Sequence, residues 1–163
     1  MIWIGLEGRI SLHIVLYEPE IPQNTGAIGR TCVAVGAKLW LVRPLGFRMD
    51  EKSLRRAGLD YWQHLTWQAV DNWADLTESL RDHRFWFFSK RGGTIYTDVQ
   101  FSANDVLVFG NETSGLPTTL VEQNAERTLR IPIRAEVRSL NLSNSVAIAA
   151  YEALRQFDML ASE

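Results

Sequence analysis

Short apolar runs alternate with amphipathic stretches along this chain, and that alternation is typical of an α/β domain. Five of the runs predict strands, at residues 12–17, 38–42, 85–88, 106–109 and 129–133. The runs FWFF and VLVF are apolar throughout, as expected of strands that are covered on both faces. We therefore predict a doubly wound, mostly parallel sheet with helices between its strands.

Apolar side chains spaced three or four positions apart predict the helices. Residues 25–35 follow the turn-forming Pro22, and residues 71–80 carry Trp73, Leu76 and Leu80 at helical spacing. A short basic helix is predicted at residues 52–57. The last helix, residues 142–157, has a long apolar side formed by Leu142, Val146, Ala149, Ala150, Ala153 and Phe157.

Composition limits the class of protein. The 163 residues, 46% of them apolar, suffice for one domain with a substantial core, at residues 12–163 after an N-terminal extension of residues 1–11. The sole cysteine, Cys32, excludes an intrachain disulfide and suits a reducing compartment such as the cytoplasm. No apolar run approaches the length of a membrane span, so no membrane partner is expected.

Charge excludes a polycation that coats nucleic acid, since 17 basic and 19 acidic residues give a net charge of −2. Local basic clusters are nevertheless present. They are Arg43, Arg48, Lys52, Arg55 and Arg56, then Lys90 and Arg91, then Arg127, Arg130, Arg134 and Arg138. Each cluster is either solvated surface or a phosphate-binding patch, and both interpretations are open.

Three polar clusters follow predicted strands. PQNTGAIGR comes after the first strand, GNETSG after VLVF, and RSLNLSN after RIPI. Ligands of open α/β sheets bind beyond the carboxyl ends of the strands. The shared position of the clusters therefore predicts that they meet in one binding site.

The first cluster contains an ordinary and an unusual feature. Asn24 and Thr25 lie where a helix begins, so one of them is expected to cap it by accepting backbone N–H groups. Arg30 lies among apolar residues of the same helix, which predicts that it is buried. Because a guanidinium keeps its charge, a buried Arg30 needs a partner such as Glu112 or a phosphate.

The other two clusters hold more polar groups than a simple turn or helix start needs. Gly110 and Gly115 permit a tight loop whose backbone approaches a ligand closely, and Glu112 between them is unexpected in a plain turn. RSLNLSN places four polar side chains before an apolar helix, where capping needs one: Ser139, Asn141, Ser143 and Asn144. The surplus predicts hydrogen bonds to a ligand or to a neighbouring loop.

Other kinds of site find little support in the sequence. His13, His64 and His83 lack the spacing of metal ligands, so no metal is expected. A serine hydrolase is not supported, because no GxSxG motif is present. The tryptophans Trp62, Trp67 and Trp73 are expected in packing, with base stacking as the alternative.

Taken together, the three clusters resemble the three motifs of the SPOUT class of methyltransferases, in particular its SpoU/TrmH branch. Within that branch the chain is most similar to the small tRNA wobble-position ribose methyltransferases. The segments that carry the likeness are LHIVLYEPEIPQNTG, RPLGF, LRRAGLDY, RIPI and RSLNLSNSVAIAAYEALRQ. The resemblance covers about residues 12–157, nearly the whole chain.

The resemblance implies a SPOUT α/β fold whose C-terminal segment forms a deep trefoil knot, an exception to the rule against knots. It implies a homodimer that binds S-adenosylmethionine. The implied reaction methylates the ribose 2′-hydroxyl of the tRNA wobble nucleotide, a cytidine or modified uridine in the anticodon stem-loop, typically of leucine tRNAs. The alternatives are methylation of another tRNA or rRNA nucleotide, a non-catalytic S-adenosylmethionine-binding regulator, and an enzyme that acts on a small molecule.

The resemblance also assigns residues by position. Phe88, Gly110, Ile131 and Ser139 fall at contacts with the methyl donor. The polar set associated with catalysis falls at Arg30, Asn24, Glu112, Ser139 and Asn141. In the branch the arginine is proposed as the base. We expect it instead to orient the hydroxyl and a phosphate, because guanidinium pKa values exceed about 12.

Four further expectations complete the interpretation of the sequence. Glu112 is either the base or the group that holds Arg30. Tyr151 falls on the dimer helix, and Arg55 and Arg56 are expected to contact the anticodon stem-loop. Relatives often have GPETRG where this chain has GNETSG, so Ser114 replaces an arginine and the range of substrates is open to change.

Overall fold

The computed structural model of the protein describes residues 12–49 and 60–157. Its strands are β1 His13–Tyr17, β2 Lys38–Val42, β3 Trp67–Val70, β4 Phe85–Phe88, β5 Thr94–Ile95, β6 Val106–Phe109 and β7 Thr128–Arg130. The α-helices in the same residues are α1 Pro22–Val35, α2 Trp73–Ser79, α3 Thr118–Gln123 and α4 Leu142–Gln156. Short 3-10 helices occupy Asp60–His64, Tyr96–Asp98 and Ala125–Arg127.

The strands form one sheet in the order β3-β2-β1-β6-β4-β7-β5, and every pair of neighbours is parallel. The chain moves outward from β1 through β2 to β3 and then crosses to the other half of the sheet. The direction of winding therefore reverses between β1 and β6. In such a sheet the ligand crevice opens at the carboxyl ends of the strands on either side of that reversal.

The predicted parallel α/β sheet is confirmed, and all five predicted strands are present. The sheet contains two strands that were not predicted, β3 and β5. They were missed because β3 begins with exposed residues and β5 has only two residues, so neither contains an apolar run. The last predicted strand ends at Arg130, since Pro132 has no N–H to continue the ladder.

Two layers of apolar side chains cover the sheet, one on each face. On one face, α1 and α4 pack against each other and against the strands, and Ala149, Ala150 and Ala153 allow a close approach of the two helices. On the other face, Leu76 and Leu80 from the α2 region join α3 in a second cluster. The central strands are thus buried on both sides, as the runs FWFF and VLVF predict.

Several expectations concern residues outside the described part of the chain. They are the extension at residues 1–11, the short helix at residues 52–57, and the roles of Arg55 and Arg56. The trefoil knot also stays a prediction. No helix within the described ranges is long and apolar enough to cross a membrane.

The amino end of the sheet carries a buried imidazole. His13 lies 7% exposed at the start of β1, and its Nδ1 accepts a hydrogen bond of 3.0 Å from the indole Nε1–H of Trp40. The ring of His83 stands edge-on to it, with the ring centroids 4.7 Å apart. Lys38 lies close by, with its Nζ 3.9 Å from the centroid of the Trp40 ring. The site thus favours a neutral imidazole.

Stability is expected to fall in acid because of this histidine. Burial, with smaller effects of His83 and Lys38, lowers the pKa of His13 to about 4. An unfolded histidine has a pKa near 6.5, so between these values the unfolded chain binds a proton that the folded chain does not. The free energy of unfolding should therefore decrease by roughly 2 kcal/mol as the pH falls from about 6.5 to about 4.

Denaturant unfolding at a series of pH values measures this effect. A His13→Asn variant keeps an acceptor for Trp40 but does not titrate, so its stability should vary less over the same range. His64→Asn, at an exposed histidine, serves as the matched control and should retain the slope of the parent protein. An unchanged slope in His13→Asn would show that other groups cause the acid sensitivity.

Candidate active site

An open groove of about 680 Å³ lies at the carboxyl ends of β1, β4, β6 and β7. Its volume falls in the usual range for a small-molecule site. The groove is lined by parts of all three polar clusters, including Asn24, Glu112 and Asn141. The prediction that the clusters meet at one end of the sheet is therefore confirmed.

The GNETSG loop turns back on itself after β6. A side-chain carbon at Gly110 would lie 2.0 Å from the carbonyl carbon of Gly115, so only glycine fits there. Gly115 has φ +71°, a conformation that glycine adopts without strain. Asn111 accepts hydrogen bonds from the backbone and hydroxyl of Ser114, which closes the turn and projects Glu112 toward α1.

Glu112 caps a helix that begins more than 80 residues earlier in the chain. Its Oε2 accepts from the backbone N–H of Glu20 at 2.8 Å, and its Oε1 accepts from that of Ile21 at 3.0 Å. Ile21 is the N-cap of α1 and has no side chain that can cap it. A carboxylate in this place satisfies free N–H groups and interacts favourably with the positive end of the helix dipole.

Asn24 links Glu112 to the third cluster. The Nδ2 of Asn24 donates to Glu112 Oε1 at 3.2 Å, and its Oδ1 accepts from Asn141 Nδ2 at 3.0 Å. Asn141 is the N-cap of α4, and its Oδ1 accepts from the backbone N–H groups of Ser143 and Asn144. We call the linked side chains of Glu112, Asn24 and Asn141 the polar relay.

This arrangement corrects the expectation for the start of α1. Neither Asn24 nor Thr25 caps that helix, because α1 begins at Pro22 and both residues lie inside its first turns. Glu112 supplies the cap from another loop, which local sequence cannot reveal. In RSLNLSN, Asn141 caps α4 and also donates to Asn24 in α1, so it joins two of the clusters. That the remaining polar residues of this cluster bind a ligand stays a prediction.

The four residues assigned to the methyl donor all line the groove: Phe88, Gly110, Ile131 and Ser139. The ring of Phe88 stacks on that of Phe109, with centroids 4.7 Å apart and planes 14° from parallel. These side chains form an apolar wall beside the polar relay. The groove therefore offers both surfaces that a nucleoside-like ligand needs, one for a flat ring and one for hydroxyl groups.

Residues 132–139, which connect β7 to the third cluster, are all exposed. The backbone hydrogen bond recorded among described residues within this segment joins Val137 N–H to the Arg134 carbonyl. Val137 is 52% exposed, and Tyr151 on α4 is 44% exposed. Single exposed apolar side chains are common on protein surfaces, so these two do not by themselves identify a contact.

Arg30 is the predicted site residue that the structure places elsewhere. It is exposed, which contradicts the expectation of burial, and it is not among the residues that line the groove. It lies six positions after Asn24, which corresponds to a rise of about 9 Å and a different side of the helix. Among described residues its guanidinium contacts the ring of Tyr61, not Glu112.

Three cations of the basic clusters lie in the wall of the groove, a position that was not assigned to them from the sequence. Lys90 and Arg91 directly follow β4, and Arg138 precedes Ser139. Arg91 donates to the Thr118 hydroxyl at 2.9 Å, which holds it against the start of α3. The sequence does contain a signal for Lys90 and Arg91: they follow a strand, and the carboxyl ends of parallel strands meet at one edge of the sheet.

Three aromatic residues considered for base stacking differ in their surroundings. Trp73 packs among Tyr17, Phe85 and Phe87, as expected of a packing role. Trp62 and Trp67 contact each other, and Trp67 is exposed.

Within residues 12–49 and 60–157, no group of three or more potential ligands could hold a metal ion.

Comparisons with known proteins find close relatives along almost the whole chain. A protein of Bacillus subtilis, provisionally named tRNA (cytidine(34)-2′-O)-methyltransferase, is 49% identical over 150 residues, which are 90% of this chain and 94% of the relative. The tRNA (cytidine(34)-2′-O)-methyltransferase of Methylovorus glucosotrophus is 45% identical over 89% of this chain and 95% of its own.

Solved structures show the same fold. A structure described as giving insight into 2′-OH methylation of C/U34 on tRNA is 46% identical, with a TM-score of 0.84 over 93% of both chains. An rRNA methyltransferase of Sinorhizobium meliloti with bound AdoMet is 28% identical, with a TM-score of 0.79 over 89% of this chain and 56% of that one. The model of the SpoU rRNA Methylase family matches residues 11–151, and the chain belongs to that family.

Proposed function

We propose that this protein is an S-adenosylmethionine-dependent methyltransferase that modifies the ribose 2′-hydroxyl of nucleotide 34 in tRNA. The observation that carries the proposal is the polar relay, which joins the three family motifs at one groove. The relatives support the choice of substrate, because those named for tRNA (cytidine(34)-2′-O)-methylation align over nearly their full length.

The groove fits the methyl donor. Its apolar wall at Phe88 and Ile131 suits the adenine ring, and the backbone of Gly110, which lines the groove, suits the hydrogen-bonding edge of that ring. Ser139 lies beside them and can bind a ribose or amino-acid oxygen. When bound, S-adenosylmethionine supplies a methyl group on a sulfonium, which is already activated for displacement.

The residues of the chain then have to position the ribose 2′-oxygen of the RNA against this methyl group. Asn24 and Asn141 line the groove and are held by the relay, so their positions are set before the RNA binds. Such preorganisation lowers the barrier by removing the entropy of alignment at the moment of reaction. Arg30 is proposed to orient the ribose hydroxyl and an adjacent phosphate, approaching from outside the groove.

Glu112 acts as a positioning residue in this scheme. Its two oxygens accept from Glu20, Ile21 and Asn24, so three of their roughly four acceptor positions are used within the protein. A general base needs an oxygen that reaches the proton to be removed. Holding the relay therefore fits the geometry better than direct removal of the hydroxyl proton.

Several finer features belong to the same proposal. The enzyme works as a homodimer in the cytoplasm, and exposed Tyr151, Ile148 and Val137 support a contact between copies. Arg55 and Arg56 contact the anticodon stem-loop of leucine tRNAs by neutralising phosphates. The cations Lys90, Arg91 and Arg138 at the groove favour an anionic substrate over an uncharged small molecule.

Methylation of tRNA tests the function directly. Purified protein, labelled methyl donor and total tRNA from cells that lack the activity should yield 2′-O-methyl groups at position 34. Mapping by digestion and mass spectrometry identifies the nucleotide. Methylation at another position would retain the reaction but overturn the substrate, and donor binding without transfer would indicate a regulator.

Arg30→Lys tests the role of the guanidinium. Lysine retains the charge but lacks the planar fork that binds a hydroxyl and a phosphate together, so turnover should fall by about 10- to 100-fold. Single-turnover methylation of tRNA is the measurement, with binding of the donor as the control. Near-full turnover in Arg30→Lys would exclude a role based on guanidinium geometry.

Glu112→Gln tests the relay. A glutamine places an NH₂ group against one of the N–H donors that Glu112 accepts, which should cost about 1–3 kcal/mol of stability. Turnover should fall by a similar factor at every pH, because positioning is lost rather than a titrating group. Loss of one limb of the pH–rate profile would instead identify Glu112 as the base.

A further inference from the structure

The Arg30 guanidinium lies over an aromatic ring. The guanidinium carbon lies 5.0 Å from the centroid of the Tyr61 ring. The Tyr61 hydroxyl donates a hydrogen bond to the carbonyl of Gly26 in α1. In a regular α-helix that carbonyl also accepts the N–H of the residue four positions later, which is Arg30. Tyr61 therefore contacts one helical turn at two points.

Neighbouring residues hold the Tyr61 segment against α1. A side-chain carbon at Gly29 would lie 2.8 Å from the Trp62 ring and 3.1 Å from Leu65, so the segment packs directly on the helix. Leu65 is buried, which anchors the end of the segment in the core. Burial raises the pKa of the Tyr61 hydroxyl, against an opposing effect of Arg30, so this hydroxyl stays a donor.

A guanidinium stacked on a ring keeps its hydrogen-bonding edge free. The five N–H donors of arginine lie in the plane of the group, while the ring attracts its face. An exposed arginine otherwise samples many rotamers, and ordering it at the moment of RNA binding is unfavourable. A fixed ring reduces that entropy loss without occupying the donors that the substrate needs.

We propose that Tyr61 is a positioning residue for methyl transfer: its ring holds the Arg30 guanidinium in a preset orientation for the ribose hydroxyl and phosphate. This inference rests on the role proposed above for Arg30. It assigns to the segment after the basic run a function in the reaction, in addition to packing. Tyr61 does not line the groove, so it acts through Arg30.

A graded series of side chains at position 61 tests the electrostatic attraction between the ring and the Arg30 guanidinium. Phenylalanine and its mono-, tri- and pentafluorinated forms have nearly the same shape, but their ring faces attract cations progressively less. Tyr61→Phe should keep kcat within about threefold, and the pentafluorinated form should lower it by about 10-fold. Among the phenylalanine forms, all of which lack the hydroxyl that bonds Gly26, the melting temperature and the affinity for S-adenosylmethionine should stay constant. Equal kcat across the series would overturn the proposal.

A double-mutant cycle tests the coupling to Arg30. Tyr61→Leu should lower kcat for tRNA in the parent protein, yet have little further effect in an Arg30→Ala background. Tyr96→Leu, a half-buried tyrosine next to the opposite edge strand β5, controls for general loss of packing and should act equally in both backgrounds. Additive effects of Tyr61→Leu and Arg30→Ala would contradict the proposal.

Failure of the proposed function and failure of the role of Tyr61 give different results. If no methyl group appears on tRNA, or if Arg30→Ala is fully active, the proposed function or the role of Arg30 is wrong. If Arg30→Ala is impaired and the fluorinated series is flat, only the role of Tyr61 is wrong.

Discussion

The polar relay is the interaction on which the candidate site depends. Its hydrogen bonds run in one direction, from the N–H groups at the start of α4 through Asn141 and Asn24 to the carboxylate of Glu112. An acceptor-only group stands at one end and donor-only groups stand at the other. Reversing either amide would place donor against donor or acceptor against acceptor. The residue types Glu, Asn and Asn are therefore required by the polarity of the chain.

The relay also explains why three segments that are far apart in the sequence lie together. Glu112 is in the loop after β6, Asn24 is in α1, and Asn141 is the N-cap of α4, so each hydrogen bond joins segments separated by many residues. Asn24 is itself buried, where unpaired amide groups would be unfavourable. Correct placement of the three segments thus gives both ends of the Asn24 amide a partner at once. The groove is closed by the relay on one side and is bordered by the exposed residues 132–139 on another.

The two ends of the sheet have different tasks. At the carboxyl ends, cations, amides and exposed backbone surround a groove suited to a charged substrate. At the amino ends, His13 is bound to Trp40, and Asp105 accepts from Arg84, Trp86 and the backbone of Ser102. These buried groups form their hydrogen bonds within the protein and so serve its stability rather than a ligand. Parallel strands make this division possible, because all of them end on the same side.

Much of this protein is determined by local sequence. Apolar runs such as FWFF and VLVF identify buried strands, and the apolar side of residues 142–157 identifies α4, because the periodicity of burial is written directly in the chain. The clusters themselves are visible for the same reason, since they follow strands. The missed strands β3 and β5 lack that signal. So does the capping of α1 by Glu112, where a residue about 90 positions away replaces a local cap. Arg30 shows the same limit: its neighbours in sequence are apolar, yet helix geometry turns it outward onto Tyr61. Local sequence thus determines which side chains are available, whereas tertiary structure decides which of them meet, because those contacts depend on how distant loops are brought together.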